Sequence, residues 1–110
     1  MKTKLLTVLV AAVMAAGPAL AELTIPLISY RTGPYAANGI PNADGYTDYF
    51  TLINERDGGI GGLKIEVPEC ETGYSTEKGV ECYEATKESA ILYQPVSTGL
   101  NYQLIPKASV

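Results

Sequence analysis

The chain has 110 residues, with 8 Lys and Arg against 12 Asp and Glu and a net charge of −4. It contains no histidine and no tryptophan, which removes the commonest general base and the commonest metal ligand. An acidic chain without a basic cluster argues against nucleic acid and against anionic membranes as partners.

Residues 1–21 have the pattern of an export signal. Lys2 and Lys4 form a basic start, and Leu5–Ala16 is an apolar run broken only by Thr7. Gly17-Pro18-Ala19-Leu20-Ala21 then breaks the helix and offers an Ala-x-Ala cleavage site, so the mature chain is expected to begin at Glu22. A membrane span needs about 20 apolar residues, and this run is shorter. Losing Lys2 and Lys4 takes the net charge to −6, and residues 22–110 suffice for one small, marginally stable domain. Cys70 and Cys82 are the only cysteines, and in an exported protein two cysteines more often pair than stay free. With no histidine they cannot close a tetrahedral zinc site without carboxylates.

Thr24–Tyr30 reads as a first strand, with Pro26 near its start because proline cannot donate a ladder hydrogen bond. Arg31–Gly39 is turn-rich and reads as the loop leaving that strand. From about Pro41 to Glu55 the period changes: Ala43, Tyr46, Phe50 and Ile53 fall on one face of an amphipathic helix. Asn38 or Asn42 is a candidate cap, and Pro41 suits a first turn. Asp44 and Asp48 lie on the opposite face, where solvation rather than acid–base chemistry is expected of them.

Asn54–Glu71 forms the joint between that helix and the next strand. Gly58, Gly59, Gly61 and Gly62 read as a helix C-cap and a tight connection. Leu63, Ile65 and Val67 then alternate with Lys64 and Glu66, as in a half-buried strand. Glu69–Tyr74 is the next loop. Ser75 caps a second helix running to about Glu88, with Gly79, Cys82, Tyr83 and Thr86 inward and Glu77 in the first turn. Ala90–Tyr93 is short and continuously apolar, as expected of a strand covered on both faces. Gln94–Gly99 is its exit loop, and Leu100, Leu104, Ile105 and Ala108 mark a third helical face, interrupted by Pro106.

The order β-α-β-α-β-α predicts an α/β fold: a three-stranded parallel sheet with flanking helices and strand order 2-1-3. In such sheets ligands bind beyond the carboxyl ends of the strands, which here are Arg31–Gly39, Glu69–Tyr74 and Gln94–Gly99. Ser97 and Thr98 supply hydroxyls there, and Tyr30 or Tyr35 an aromatic wall. Ser97 and Thr98 also suit capping of the third helix, and the two roles are compatible. The Gly58–Gly62 cluster follows a helix and precedes a strand, the reverse of a dinucleotide fingerprint. The chain has no P-loop, no Gly-x-Ser-x-Gly elbow and, without histidine, no ordinary catalytic triad.

Taken together, the exported leader, Thr32-Gly33-Pro34 after the first strand, Asn54-Glu55 before Gly58-Gly59-Ile60-Gly61-Gly62, the strand Leu63–Val67 and the Ser97-Thr98-Gly99 loop carry a resemblance. They resemble the periplasmic solute-binding proteins of branched-chain amino acid ABC transporters, the leucine-binding-protein-like type I periplasmic binding proteins. Glu69–Tyr74 and Gly79–Glu84 look like one subgroup of that family. The resemblance implies two α/β lobes closing over a small solute, such as an amino acid, and delivering it to membrane permease subunits in the periplasm. It implies no turnover and no cofactor. By position it assigns ligand contacts to Tyr30, Arg31, Gly33, Tyr35, Ser97, Thr98 and Gly99. In some relatives the cysteine equivalent to Cys70 bridges to the loop after the third strand, where this chain has Val96, so pairing of Cys70 falls to Cys82.

The family's chain continues through the rest of this lobe and a second lobe. The resemblance therefore makes residues 22–110 an incomplete N-terminal lobe, with an open sheet edge beside its third strand. The alternatives are a ligand-sensing receptor domain of the same fold and a small exported, non-catalytic disulfide domain. A small exported enzyme is opposed by the missing catalytic motifs.

Overall fold

A computed structural model describes residues 22–108, so the expected signal peptide over residues 1–21 lies outside the described residues. Two prolines set the form of the sheet. The first strand is split into β1 (Leu23–Thr24) and β2 (Leu27–Ser29) around Ile25-Pro26. The second is split into β3 (Ile65–Glu66) and β4 (Glu69–Glu71) around Val67-Pro68. β1 pairs in parallel with β3, and β2 with β4. The hydrogen bonds nonetheless run on at every second residue. The amides of Leu23, Ile25 and Leu27 donate to the carbonyls of Lys64, Glu66 and Pro68 at 2.8, 2.9 and 2.9 Å. The second strand thus extends past Pro68 into Glu69–Glu71, which the sequence places in a loop.

The third strand expected over Ala90–Tyr93 is reduced to one parallel bridge, Thr24 to Ala90, with the Ile91 amide donating to the Thr24 carbonyl at 3.0 Å. The strand order 2-1-3 is kept, since Thr24 lies between Glu66 and Ala90. In a parallel ladder the next rung would be donated by residue 26, and Pro26 has no N–H to give. Nothing among the described residues covers the strand's outer face, and Ile91 and Leu92 are 59% and 53% exposed instead of buried.

α1 spans Ala36–Asp57, starting about a turn before Pro41. Neither Asn38 nor Asn42 caps it. Tyr35 occupies the cap position without a side-chain hydrogen bond, and Pro41 lies inside the helix. The early start follows from Gly33, whose left-handed backbone (φ +82°) turns the chain so that its carbonyl accepts from the Ala36 amide. The expected face holds: Ala43 is buried and Tyr46, Phe50 and Ile53 are half-buried. The helix ends on left-handed Gly58 (φ +72°).

α2 (Thr76–Thr86) is capped by Ser75, whose hydroxyl accepts from the Lys78 amide at 3.3 Å, and it buries Gly79, Cys82 and Tyr83. The Cys82 and Cys70 sulfurs are bonded, tying α2 to β4. α3 (Thr98–Leu104) passes into a 3-10 turn, Ile105–Lys107, around Pro106. That change of pitch rotates Ile105 and Ala108 off the inner face, and both are exposed, unlike Leu100 and Leu104. Ile28 of β2 packs with Cys82, Tyr83, Leu100 and Leu104 in one cluster. The alternation of a strand sends Leu27 to the opposite face, where it is 2% exposed.

Candidate functional site

The carboxyl ends of β2 and β4 feed two loops that meet backbone to backbone. A Cβ on Gly33 would lie 2.6 Å from the Gly73 carbonyl oxygen, so only glycine fits this approach. One carboxylate oxygen of Glu71 ties the loops together. It accepts from the Gly73 amide at 2.8 Å and from the Thr32 amide and hydroxyl at 3.1 Å each. These donors, the Gly73 amide foremost, hold the Glu71 carboxyl below the usual carboxylate range. Thr72 locks the second loop to the first strand, its hydroxyl donating to the Ser29 carbonyl at 2.8 Å.

Three tyrosines gather at this joint. The Tyr74 ring lies edge-on to Tyr30 at 4.9 Å between centroids and tilted against Tyr35 at 4.4 Å. Tyr30 is buried and Tyr35 is 50% exposed. Tyr74 itself is absent from the contacts expected from sequence. Its signal is the turn Thr72-Gly73-Tyr74-Ser75 directly after a strand and before a helix cap.

The third loop joins through α2. A Cβ on Gly99 would stand 3.1 Å from the Thr76 hydroxyl, placing the start of α3 against the start of α2. The Ser97 hydroxyl accepts from the Leu100 amide at 3.3 Å, so it caps α3. Thr98 is the first helical residue and is exposed. The structure therefore groups Tyr30, Gly33 and Tyr35 around Thr72–Tyr74, and Ser97–Gly99 next along the same edge.

Arg31 is placed differently. Its guanidinium donates to Glu69 at 2.5 Å and to Asp44 at 2.6 Å. These partners, Glu69 first, raise its pKa further above the ordinary arginine value, and Arg31 in turn lowers that of Glu69. Arg31 thus braces the first loop against α1 and β4. Asp44, read as a solvated face residue, is 57% exposed at its side chain and is Arg31's second partner.

A groove of mixed polarity lies elsewhere, lined by Tyr83, Lys87, Ile91, Leu92, Tyr93 and Asn101 beside the single-rung third strand. Its polar side chains are engaged within the chain: the Tyr83 hydroxyl donates to the Lys107 carbonyl at 3.0 Å, and the Asn101 amide to the Pro95 and Ser97 carbonyls at 2.8 and 2.9 Å.

A parallel α/β unit with its polar and aromatic groups at the strand ends has the layout of a ligand-binding lobe. The sequence profile of the periplasmic binding protein family matches residues 22–100. The chain belongs to that family, and its fold is that of the leucine-binding-protein-like type I members. Among solved structures, it is similar to a chain described as an ABC transporter permease from the Pseudomonas fluorescens group, with 40% identity and a TM-score of 0.73 over 79% of this chain. An extracellular ligand-binding receptor from Verminephrobacter eiseniae follows at 24% identity and 0.67 over 79%. A fatty acid ABC transporter substrate-binding protein from Thermomonospora curvata has 22% identity and 0.64 over 76%; these last two share the fold. The chain spans 22%, 25% and 22% of those three chains. No curated protein matches it.

Proposed function

We propose that this chain is part of the first lobe of an extracytoplasmic solute-binding component of an ABC importer, taking amino acids or related small polar solutes. The observation that carries the reading is the meeting of two strand-end loops, with the start of α3 set against the start of α2. Tyr30, Tyr35 and Tyr74 line the joint, Gly33 and Gly73 bring two backbones together, and Gly99 abuts Thr76. In this reading Gly33, Tyr35, Ser97, Thr98 and Gly99 face the solute, the buried Tyr30 supports the rings from beneath, and Arg31 holds the first loop in place. Residues 1–21 act as the cleaved signal, supported by a family match that starts at Glu22. The protein carries no catalysis of its own and hands its solute to permease subunits.

The test is equilibrium dialysis of the purified full chain against radiolabelled amino acids, short amides and aromatic acids. Saturable retention of one of them supports the role. No saturable retention of any solute class sinks the claim that this edge binds a solute.

A further inference from the structure

We propose that Tyr74, together with Tyr35, forms an aromatic platform at the strand-end edge that selects solutes carrying a planar ring over saturated ones of the same size. This rests on the binding role proposed above and narrows its substrate class.

The backbone supplies the first observation. Tyr74 is the one non-glycine residue with positive φ (+69°) among the described residues, directly after Gly73 at +58°. A bulky L-residue there is an outlier, and glycine would occupy the position without strain. The surrounding turn enforces the conformation: the Tyr74 amide donates to the Thr72 hydroxyl at 3.2 Å, and that hydroxyl is anchored to Ser29. Strain of this kind, observed at a strand-end loop, points to a use for the ring it positions.

The ring's setting supplies the second. Tyr30, 8% exposed, forms the base of the cluster, and Tyr74 rests on it edge-on. Tyr35, 50% exposed, leans on Tyr74 and leaves much of its own surface to solvent. The bonded pair Cys70 and Cys82 brackets the segment that carries Tyr74, so the platform is held by a covalent link as well as by hydrogen bonds. The third observation is charge. Arg31, the cation of the first loop, is engaged by Glu69 and Asp44, so its charge is already paired within the chain. Ring surface of this kind rewards a flat π-system through stacking or edge-to-face contact, and rewards a puckered ring of equal size less.

The test is calorimetric titration of the full chain with two matched pairs: phenylalanine against cyclohexylalanine, and benzoate against cyclohexanecarboxylate. The planar member of at least one pair is expected to bind about tenfold tighter. Tyr74→Phe should keep that preference, and Tyr74→Leu should reduce it to within about twofold. Tyr74→Gly should do the same while keeping the wild-type circular dichroism, because glycine suits the left-handed backbone. Equal binding of planar and saturated partners by the wild type, or a preference that survives Tyr74→Gly, overturns the platform and leaves the binding role standing. Absence of binding by every solute, non-aromatic amino acids and amides included, overturns both.

Discussion

Asn54, near the end of α1, makes both of its side-chain hydrogen bonds to Ile65 in β3. Its Nδ2 donates to the Ile65 carbonyl at 2.8 Å, and its Oδ1 accepts from the Ile65 amide at 2.9 Å. Lys64 and Glu66 turn their carbonyls toward β1, so the amide and carbonyl of Ile65 face the sheet's outer edge. The asparagine amide therefore stands in for a neighbouring strand and closes an edge that would otherwise be open. Asn54→Ala should destabilise the chain by about 2 kcal/mol, near 1 for each hydrogen bond. That corresponds to a fall in Tm of about 8–16 °C in a domain of this size. Asn54→Asp, which keeps the acceptor and loses the donor, should fall between alanine and wild type.

Two glycines of α1 should respond to alanine with opposite signs. A Cβ on Gly39 would meet the Tyr30 carbonyl oxygen within 1.9 Å and the Tyr30 ring within 2.5 Å, where α1 crosses the end of the first strand. A Cβ on Gly45 would meet nothing within 4 Å. Gly45→Ala should stabilise by up to about 1 kcal/mol through helix propensity alone. Gly39→Ala should destabilise by about 1–3 kcal/mol, since helix and strand must separate to admit the methyl group. Urea unfolding of the two variants beside the wild type measures both.

Breaking the Cys70–Cys82 bond frees a loop whose ends are 12 residues apart. The chain-entropy account gives about 3 kcal/mol for a closed loop of that order. A Cys70→Ser, Cys82→Ser double variant should therefore lose roughly 10 °C or more in Tm. The wild type treated with dithiothreitol should fall to the same value, while the variant should be indifferent to it.

Acid should loosen the packing of the chain's end on α2. The Glu84 carboxylate is paired with Lys107 at 2.8 Å and with Lys87 at 2.7 Å, and these partners, Lys107 first, hold its pKa at about 2. Because this value lies below the ordinary 4.5, the folded state binds fewer protons there than the unfolded state. The contribution is complete above about pH 4.5 and disappears as the pH falls toward 2. Glu84→Gln should flatten that part of the Tm–pH profile and converge with the wild type near pH 2. Both partners are at the surface, so about 0.5 M salt should shrink the difference at neutral pH.

Local features of the fold were readable wherever local chemistry decided them. The Ala43, Tyr46, Phe50 and Ile53 stripe, the Ser75 and Ser97 caps and the Gly58 helix end all depend on near neighbours. Features set by distant partners were not readable. The apolar run Ala90–Tyr93 has the composition of an inner strand, but its ladder stops at Pro26, more than sixty residues earlier. Arg31 is given a ligand contact by the resemblance alone, and its pairing with Glu69 and Asp44, both brought in by other elements, was not legible in the sequence. The same holds for Tyr74. Its place in a loop was evident, but its left-handed backbone is held by the Thr72 hydroxyl, which a distant partner, the Ser29 carbonyl, anchors.

The most direct measurement for the central claim is a two-dimensional amide NMR titration of the full, isotope-labelled chain with the solute that dialysis retains. Saturable shifts should concentrate at Tyr30–Tyr35, Thr72–Thr76 and Ser97–Gly99, with the groove around Ile91, Leu92 and Ile105 unmoved. Shifts confined to that groove would contradict a binding site at the strand ends.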